Sequence, residues 1–367
     1  MDNFNKRFLF LNEFKILFII LALLLSLSFL GQLSASNGEF DKQVQRHLLR
    51  IIIGVIIMFF VYMCNFKIWS NFAYVFYFFT FVFLLIVEII GVVKLGAQRW
   101  IDLYFATFQP SELMKLSLIF ALAKYYSTLS SFDIKEIKTH VIPMVLTVLP
   151  VLLILKQPDL GTAGLLFCIG IGIIFLSGFP KKIFTMFILF AVALCPFGWY
   201  FLHDYQKNRI LTFLDPDKDP LGTGYHVLQS KIAIGSGGVC GKGFLLGTQS
   251  KLNFLPEKNT DFIFTTIAEE TGFLGSIVIL ILFFGLISYF FWIGSEVRST
   301  FSKLLSYGLG LLLSLHTFVN IAMVMGVVPV VGIPLPFLSY GGSSMVIFMM
   351  SCGLIMSALA NRKSFKN

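Results

Sequence analysis

The feature that most limits how this chain can fold is a series of long apolar runs, each close to the length that crosses a membrane. A spanning helix needs about 20 mostly apolar residues. Such runs recur along the chain at 15–33, 48–64, 72–93, 111–128, 141–156, 160–179, 183–202, 262–293, 304–326 and 341–360. We therefore predict an all-α polytopic membrane protein with about ten spans, forming a single membrane domain over 1–367.

Composition excludes a soluble domain. Apolar types make up 57% of the 367 residues and phenylalanine alone accounts for 43, while charged types are 13%. An average soluble domain carries roughly 25% charged residues, and a soluble core of this length could not bury so much apolar surface. The net charge of +9 then serves membrane topology and contact with anionic groups, so we expect no nucleic-acid partner.

Cysteine and histidine usage indicates no familiar metal or haem site. The five cysteines are scattered without a C-x-x-C pair, and no histidine lies in an H-E-x-x-H motif. The glycine-rich stretch 235–247 fails the Walker A spacing, because Ser236 stands where glycine is needed and Gly243 replaces Ser or Thr. We therefore expect neither a nucleotide nor a haem. A tight loop is favoured there, and backbone amides that contact phosphate remain the alternative.

Lysine and arginine in the loops predict the orientation. With both termini in the cytoplasm, the cytoplasmic segments hold fourteen of the 28 basic residues. The other side holds at most seven once the long loop 203–261, which the rule discounts, is set aside. The sequence thus predicts cytoplasmic termini and an outer 203–261 loop between the seventh and eighth spans.

Polar residues concentrate at the predicted outer ends of the spans. They form four clusters, at 97–115, 156–162, 208–261 and 334–343. In the predicted topology all four face the same side of the membrane, which indicates a shared functional site. The loop cations collectively suit an anionic, lipid-linked phosphate, although a surface role is the default for most of them. They are Arg209, Lys231, Lys242, Lys251 and Lys258.

Three charged residues have two readings each. Glu112 and Lys115 are three residues apart on a predicted span, so they are either a self-neutralising structural pair or face a substrate. Asp261 precedes a span, where a carboxylate is favoured by the helix dipole. Position alone favours that structural role, and the alternative is action at a membrane-edge cavity, as a base or as a ligand to a divalent cation.

Six motifs stand at the ends of these spans. They read RWIDL (99–103), FQPSELMKL (108–116), QPDLGT (157–162), IGSGG (234–238), NTDFIF (259–264) and LSYGGS (338–343). In this order, within about residues 43 to 360, the sequence closely resembles the SEDS family (shape, elongation, division, sporulation). GKG at 241–243, GTQS at 247–250 and NFLPE at 253–257 resemble the RodA branch more than the FtsW branch.

The resemblance implies a peptidoglycan glycosyltransferase of the bacterial cytoplasmic membrane, active in cell elongation and rod shape. Such proteins polymerise lipid II into a growing lipid-linked glycan. Their expected partners are a class B penicillin-binding protein, which supplies the transpeptidase, and other membrane proteins of the elongation complex. The family has ten spans and a large extracytoplasmic loop between the seventh and eighth.

The family's essential aspartate falls on Asp261, and its motif glutamate, lysine and arginine fall on Glu112, Lys115 and Arg99. Asp261 is predicted to act as the base or to orient the acceptor hydroxyl, with Mg²⁺ or Mn²⁺ as an optional cofactor held there. Arg99, Lys115 or loop cations are predicted to hold the pyrophosphate. Further predicted substrate-binding residues are Gln109, Ser111, Lys156, Asp159, Gln229, Lys242, Ser339 and Tyr340.

The sequence departs from the family pattern at Asn259, where histidine is expected, and at Thr271, where leucine is more usual. The aspartate itself is intact. Two other functions stay open: a flippase for lipid-linked precursors, which would need a polar path through the membrane, and a scaffold that only positions the penicillin-binding protein.

Overall fold

A computed structural model describes residues 14–94, 97–102, 107–130, 132–186, 189, 193, 200, 204–215, 222–252, 254 and 257–362. In chain order its first elements are α1 (Lys15–Ala35), α2 (Lys42–Met63), α3 (Phe66–Asn71), α4 (Ala73–Ile90), β1 (Val92–Lys94), β2 (Ala97–Asp102), β3 (Thr107–Phe108) and α5 (Pro110–Ser127). They are followed by 3₁₀ turns at Asp133–Lys135 and Ile137–His140, α6 (Val141–Lys156), α7 (Leu160–Leu176), α8 (Asp204–Leu214), α9 (Thr223–Ser236), α10 (Thr248–Lys251), α11 (Ile263–Glu296), α12 (Thr300–Val324) and α13 (Gly342–Ala360).

The helices confirm an all-α, multi-pass membrane protein. Within the described ranges, seven helices are long and apolar enough to span a bilayer: α1, α2, α4, α6 with its preceding turn, α11, α12 and α13. The helix α7 is apolar but has 17 residues. The predicted span 183–202 lies largely outside the described residues.

The helix α5 is the exception that locates the centre of the bundle. It is 18 residues long but carries Glu112, Lys115 and Lys124, and most of its side chains are buried. Apolar side chains on the outer helices are instead exposed, such as Phe60 on α2 and Ile89 on α4. The outer helices therefore meet lipid, and α5 is shielded by α4, α7 and α12.

Two span boundaries differ from the sequence prediction for local reasons. The helix α2 begins at Lys42 rather than near 48, because Asp41 accepts hydrogen bonds from the amides of Gln43 and Val44 at 2.9 and 2.8 Å. The span predicted to reach residue 93 ends at Ile90. Beyond it β1, β2 and β3 form a small antiparallel sheet that the sequence analysis did not predict.

The glycine-rich stretch packs against a kink in α11. At Gly272 the backbone is non-helical, with φ 68° and ψ −161°, a conformation that favours glycine. The amides of Lys242 and Gly243 donate to the carbonyls of Glu269 and Glu270 at 3.1 and 3.0 Å. Because these amides are already engaged, the stretch is the tight loop favoured above.

Candidate active site around Asp261

The backbone just before α11 is held by side chains from distant parts of the chain. The carbonyl of Asn259 accepts hydrogen bonds from Gln32 Nε2 at 2.9 Å and from the Tyr340 amide at 2.8 Å. The carbonyl of Thr260 accepts one from Ser339 Oγ at 2.7 Å. The position of the NTDFIF motif is therefore fixed by α1 and by the segment before α13.

Asp261 is held in the same way by α12. Asn320 Nδ2 donates to the Asp261 carbonyl at 2.9 Å and to the Ile333 carbonyl at 2.7 Å, and this amide side chain is fully buried. Gly332 faces the carboxylate, since a Cβ built on it would lie 3.5 Å from Asp261 Oδ2. The aspartate is thus set against the 330–340 segment by buried amides. Sequence analysis missed Gln32 and Asn320, because their partners lie far away in the chain.

The environment of Asp261 alters its acidity. Its pKa is raised from the ordinary 3.8 to about 7, mainly by burial and also by the negative charge of Glu257, while Arg209 acts to lower it. A carboxyl group that titrates near neutral pH is suited to general-base catalysis. Arg209 also donates from Nη1 to the Val330 carbonyl at 3.2 Å, so it lies beside the same segment.

A second polar cluster is enclosed by α5 and α12. Lys115 Nζ lies 2.6 Å from Glu112 Oε1 and 2.7 Å from His316 Nε2, and all three side chains are buried. Since the ammonium can only donate, His316 Nε2 accepts and its Nδ1 carries the proton, 3.5 Å from the Pro334 carbonyl. Both predicted residues therefore have internal partners, and their substrate-binding role stays a prediction.

One face of α12 connects this cluster to Asp261. His316 and Asn320 are four residues apart and so lie on the same face. The first meets Lys115 and Pro334, and the second meets Ile333 and Asp261. The helix thereby places the Glu112–Lys115 pair and the aspartate on two sides of a single loop.

The predicted residues Arg99, Gln109 and Asp159 also come together. Arg99 Nε lies 3.6 Å from Asp159 Oδ2, and Gln109 Nε2 lies 3.4 Å from the same oxygen. Arg99 donates to the carbonyls of Gln157 and Pro158 as well. Beside them Ser111 is buried at the start of α5. The QPDLGT motif thus anchors the sheet that carries Arg99.

The other predicted residues lie in three places. Lys156 is largely exposed and pairs with Glu88. Gln229 lies on α9, half-buried. The Tyr340 ring lies beneath Arg50, whose guanidinium carbon is 4.0 Å from the ring centroid.

Lys242 has a structural partner. Its Nζ lies 2.7 Å from Glu269 Oε1, and the Glu269 carboxylate also accepts from the amides of Gln249 and Ser250, at 3.0 and 3.4 Å. Glu269 thereby caps α10. Glu270 accepts from the Ser34 hydroxyl and, at 3.0 Å, from the Leu245 amide. The two glutamates hold the 242–250 loop and are not paired with Asp261.

Comparison with known proteins gives a consistent result. The sequence model of the FtsW/RodA/SpoVE family, described as "Cell cycle protein", matches residues 8–364. The chain is 40% identical over 350 residues to the peptidoglycan glycosyltransferase MrdB of Escherichia coli K12, which covers 95% of this chain and 93% of that protein. It is 39% identical over 321 residues to MrdB of Helicobacter pylori 26695, with 85% and 82% covered.

Solved structures with the same architecture belong to similar proteins. A chain from a structure described as "Structural coordination of polymerization and crosslinking by a peptidoglycan synthase complex" superposes with a TM-score of 0.82 at 31% identity, covering 96% of this chain and 98% of that one. The rod shape determining protein RodA of Thermus thermophilus superposes with a TM-score of 0.71 at 26% identity, covering 95% and 97%.

Proposed function

Because this chain belongs to the SEDS family of FtsW, RodA and SpoVE proteins, we propose that it is a peptidoglycan glycosyltransferase that polymerises lipid II for cell elongation and rod shape. Two relatives named as peptidoglycan glycosyltransferases match 95% and 85% of its length. The observation that carries the chemistry is Asp261, a carboxylate at the membrane edge whose backbone is held by buried side chains and whose pKa is about 7.

The reaction forms one bond, transfers one proton and breaks one bond. The acceptor sugar hydroxyl attacks the anomeric carbon of the donor, which forms the new glycosidic bond. Its proton passes to Asp261, which acts as the general base. The bond between the anomeric carbon and the diphosphate breaks, and the lipid diphosphate leaves with the bonding electron pair. Cations near the leaving oxygen stabilise the charge that develops there.

Orientation and partners follow from the same proposal. Both termini lie in the cytoplasm, and the segments around Asp261 face outward, where lipid II is presented. A similar chain belongs to a peptidoglycan synthase complex that coordinates polymerization and crosslinking. We propose a class B penicillin-binding protein as the crosslinking partner of this chain, within a larger set of elongation-complex membrane proteins.

A divalent cation has few protein ligands in this site. Glu257 is the carboxylate that acts on the pKa of Asp261, and no group of three or more metal-binding side chains occurs within the described ranges. Mg²⁺ is often held by one or two carboxylates together with substrate phosphates. If the enzyme uses Mg²⁺ or Mn²⁺, Asp261 and Glu257 are the residues that would hold it, and the ion would supply charge stabilisation.

The decisive experiment is polymerisation of purified lipid II by the complex with its penicillin-binding protein, with and without chelator. We expect glycan strands from wild type and strand formation slowed by about 10²-fold or more in Asp261→Asn. A rate close to wild type in that variant, with normal expression, would contradict the base assignment. If wild type moves lipid II across vesicles but forms no strands, the flippase alternative is correct. If it does neither, the chain is a scaffold.

A further inference from the structure

A buried histidine joins the charged pair of α5 to the segment that faces Asp261. His316 lies on α12 with no exposed surface. Its Nε2 is 2.7 Å from Lys115 Nζ, and its Nδ1 is 3.5 Å from the Pro334 carbonyl oxygen. Because an ammonium can only donate, Nε2 accepts and Nδ1 carries the proton that faces the carbonyl. The imidazole therefore bridges an ion pair and a loop of backbone.

Aromatic packing fixes the orientation of this ring. The ring of His316 meets that of Phe348 on α13 edge to face, with centroids 5.1 Å apart and planes at 79°. Phe348 in turn meets Phe337, with centroids 5.7 Å apart. Phe337 lies three residues after Pro334, so the segment that accepts the hydrogen bond also packs around the histidine. The imidazole cannot exchange its two partners without displacing these rings.

The charges beside His316 require it to be neutral. Lys115 Nζ is also 2.6 Å from Glu112 Oε1, and all three side chains are buried. A positive charge on the imidazole, 2.7 Å from the ammonium, would be repelled strongly in an interior of low dielectric constant. A neutral histidine instead gives Lys115 a second acceptor and keeps one N–H for the loop. An apolar side chain of similar size provides neither.

The segment that His316 reaches holds the backbone that precedes α11. The Leu335 amide donates to Ser339 Oγ at 2.7 Å, and this hydroxyl donates to the Thr260 carbonyl at 2.7 Å. Leu335 directly follows the proline whose carbonyl faces the histidine. A shift of this segment would therefore move the residue next to Asp261.

We propose that His316 is a positioning residue, which fixes the 334–339 segment to the buried Lys115 ion pair and thereby holds Asp261 in place for the reaction. It acts through the segment and not by touching a sugar or a diphosphate. This inference rests on the proposed function, because the step that it supports is general-base catalysis at Asp261. A misplacement of about 1 Å can cost on the order of 10²-fold in rate. Loss of the bridge should therefore lower kcat and leave KM little changed.

The chain contains a matched control for this histidine. His140 is also buried and has two partners, the Tyr126 hydroxyl 2.7 Å from Nδ1 and the Ile134 carbonyl 2.8 Å from Nε2. It precedes α6, at the opposite end of that helix from Asp159. Its replacement removes the same number of polar contacts from a buried imidazole and leaves the 334–339 segment intact.

The first test is a kinetic comparison in the complex that polymerises lipid II. We expect His316→Met to lower kcat about ten-fold or more and to change KM by less than about two-fold. His316→Gln should keep kcat within about three-fold of wild type, because its amide can both accept and donate at a similar reach. His140→Met, compared at equal amounts of folded protein, should keep kcat within about two-fold of wild type.

These kinetics separate a positioning role from a merely structural one. Equal losses of kcat in His316→Met and His140→Met would overturn the proposal, because any lost pair of buried contacts would then have the same effect. A normal kcat in His316→Met would overturn it as well.

The second test measures hydrogen–deuterium exchange and does not depend on activity. Exchange in His316→Met should be about ten-fold faster in peptides that cover 257–262 and 334–341. His316→Gln should not change it, and in His140→Met faster exchange should be confined to 134–145. If His316→Met does not fold, His316→Asn replaces it in both tests, because its shorter amide cannot reach Lys115.

The two tests fail in different ways. Unchanged exchange at 257–262 in the folded variant would show that His316 does not position Asp261, and would overturn this inference alone. If wild type forms no polymer, the proposed function fails.

Discussion

Two acidic regions near the start of α11 bind their hydrogen-bond donors in opposite ways. Around Glu269 the donors reach the carboxylate itself, from Lys242, Gln249 and Ser250. At Asp261 the hydrogen bond from Asn320 reaches the backbone carbonyl instead. The first arrangement stabilises a permanent charge, and the second positions a group whose pKa is raised by burial to about 7.

The difference shows how to distinguish a structural carboxylate from a reactive one when both lie near the start of the same helix. A saturated carboxylate has no capacity left for a substrate proton, whereas a positioned carboxylate with a near-neutral pKa can accept one. The position of a residue beside a span cannot make this distinction, because Asp261 and Glu269 both lie close to the start of α11. Substitutions in the two regions should therefore affect different measurements.

The largest effect is expected from Asp261→Asn. Loss of a general base costs about 10²- to 10⁴-fold in rate, so the polymerisation rate of purified lipid II should fall by that factor. The free energy of unfolding should rise, rather than fall, in this variant. Because the folded pKa is raised, wild type loses stability as pH rises from about 4 through 7, and the variant does not. Melting temperatures at pH 5 and pH 8 check this, and a variant that melts well below wild type at both would contradict it.

Glu269→Gln should lower the melting temperature more than it lowers the rate of polymerisation. It removes the charge that pairs with Lys242, and the cost is roughly 2–3 kcal/mol because that lysine keeps part of its side chain exposed. Melting temperature in detergent measures it. Lys156→Ala breaks the exposed pair with Glu88 and should cost less than about 1 kcal/mol. Equal losses in the two variants would show that the loop does not depend on Glu269.

Asn320→Leu tests whether the backbone clamp positions the reactive group. It leaves the carbonyls of Asp261 and Ile333 without this donor, and a misplacement of about 1 Å can cost on the order of 10²-fold in rate. We expect kcat to fall while KM changes little. Asn361→Ala removes a similar amide-to-carbonyl bond at the end of α13 and is the matched control. A fall in both variants would contradict a positioning role.

The smallest effect is a shift of the pH profile. The rate should rise with pH to a midpoint near 7 as Asp261 loses its proton. Glu257→Gln removes a negative neighbour and should move the midpoint down, whereas Arg209→Gln removes a positive one and should move it up. Measuring kcat/KM from pH 5.5 to 8.5 checks both signs. Midpoints that do not move would exclude Asp261 as the titrating group.

The helices could be predicted from the sequence because a segment in lipid must satisfy its backbone hydrogen bonds within itself. A run such as 15–33 must be helical to satisfy its own backbone, and the structure gives Lys15–Ala35. The motif resemblance likewise placed Asp261 at the start of a span. Both kinds of evidence are contained in a short stretch of sequence.

The unpredicted parts depend on residues far apart in the chain. Gln32 meets Asn259 across 227 positions, and Lys115 meets His316 across 201. Nothing around either residue marks its partner. The kink at Gly272 was also missed, because the carbonyls it frees are satisfied by the 238–243 loop rather than by neighbours on α11.

The central position of α5 has a consequence for how the bundle is made. A charged side chain within a span opposes membrane insertion, by at most about 2.5–3.5 kcal/mol, the cost at the centre of a helix. Until α12 is synthesised, Glu112 can neutralise Lys115 but His316 is absent. Biogenesis should therefore be unfinished, and α5 vulnerable to quality-control proteases, until nearly the whole polypeptide has entered the bilayer.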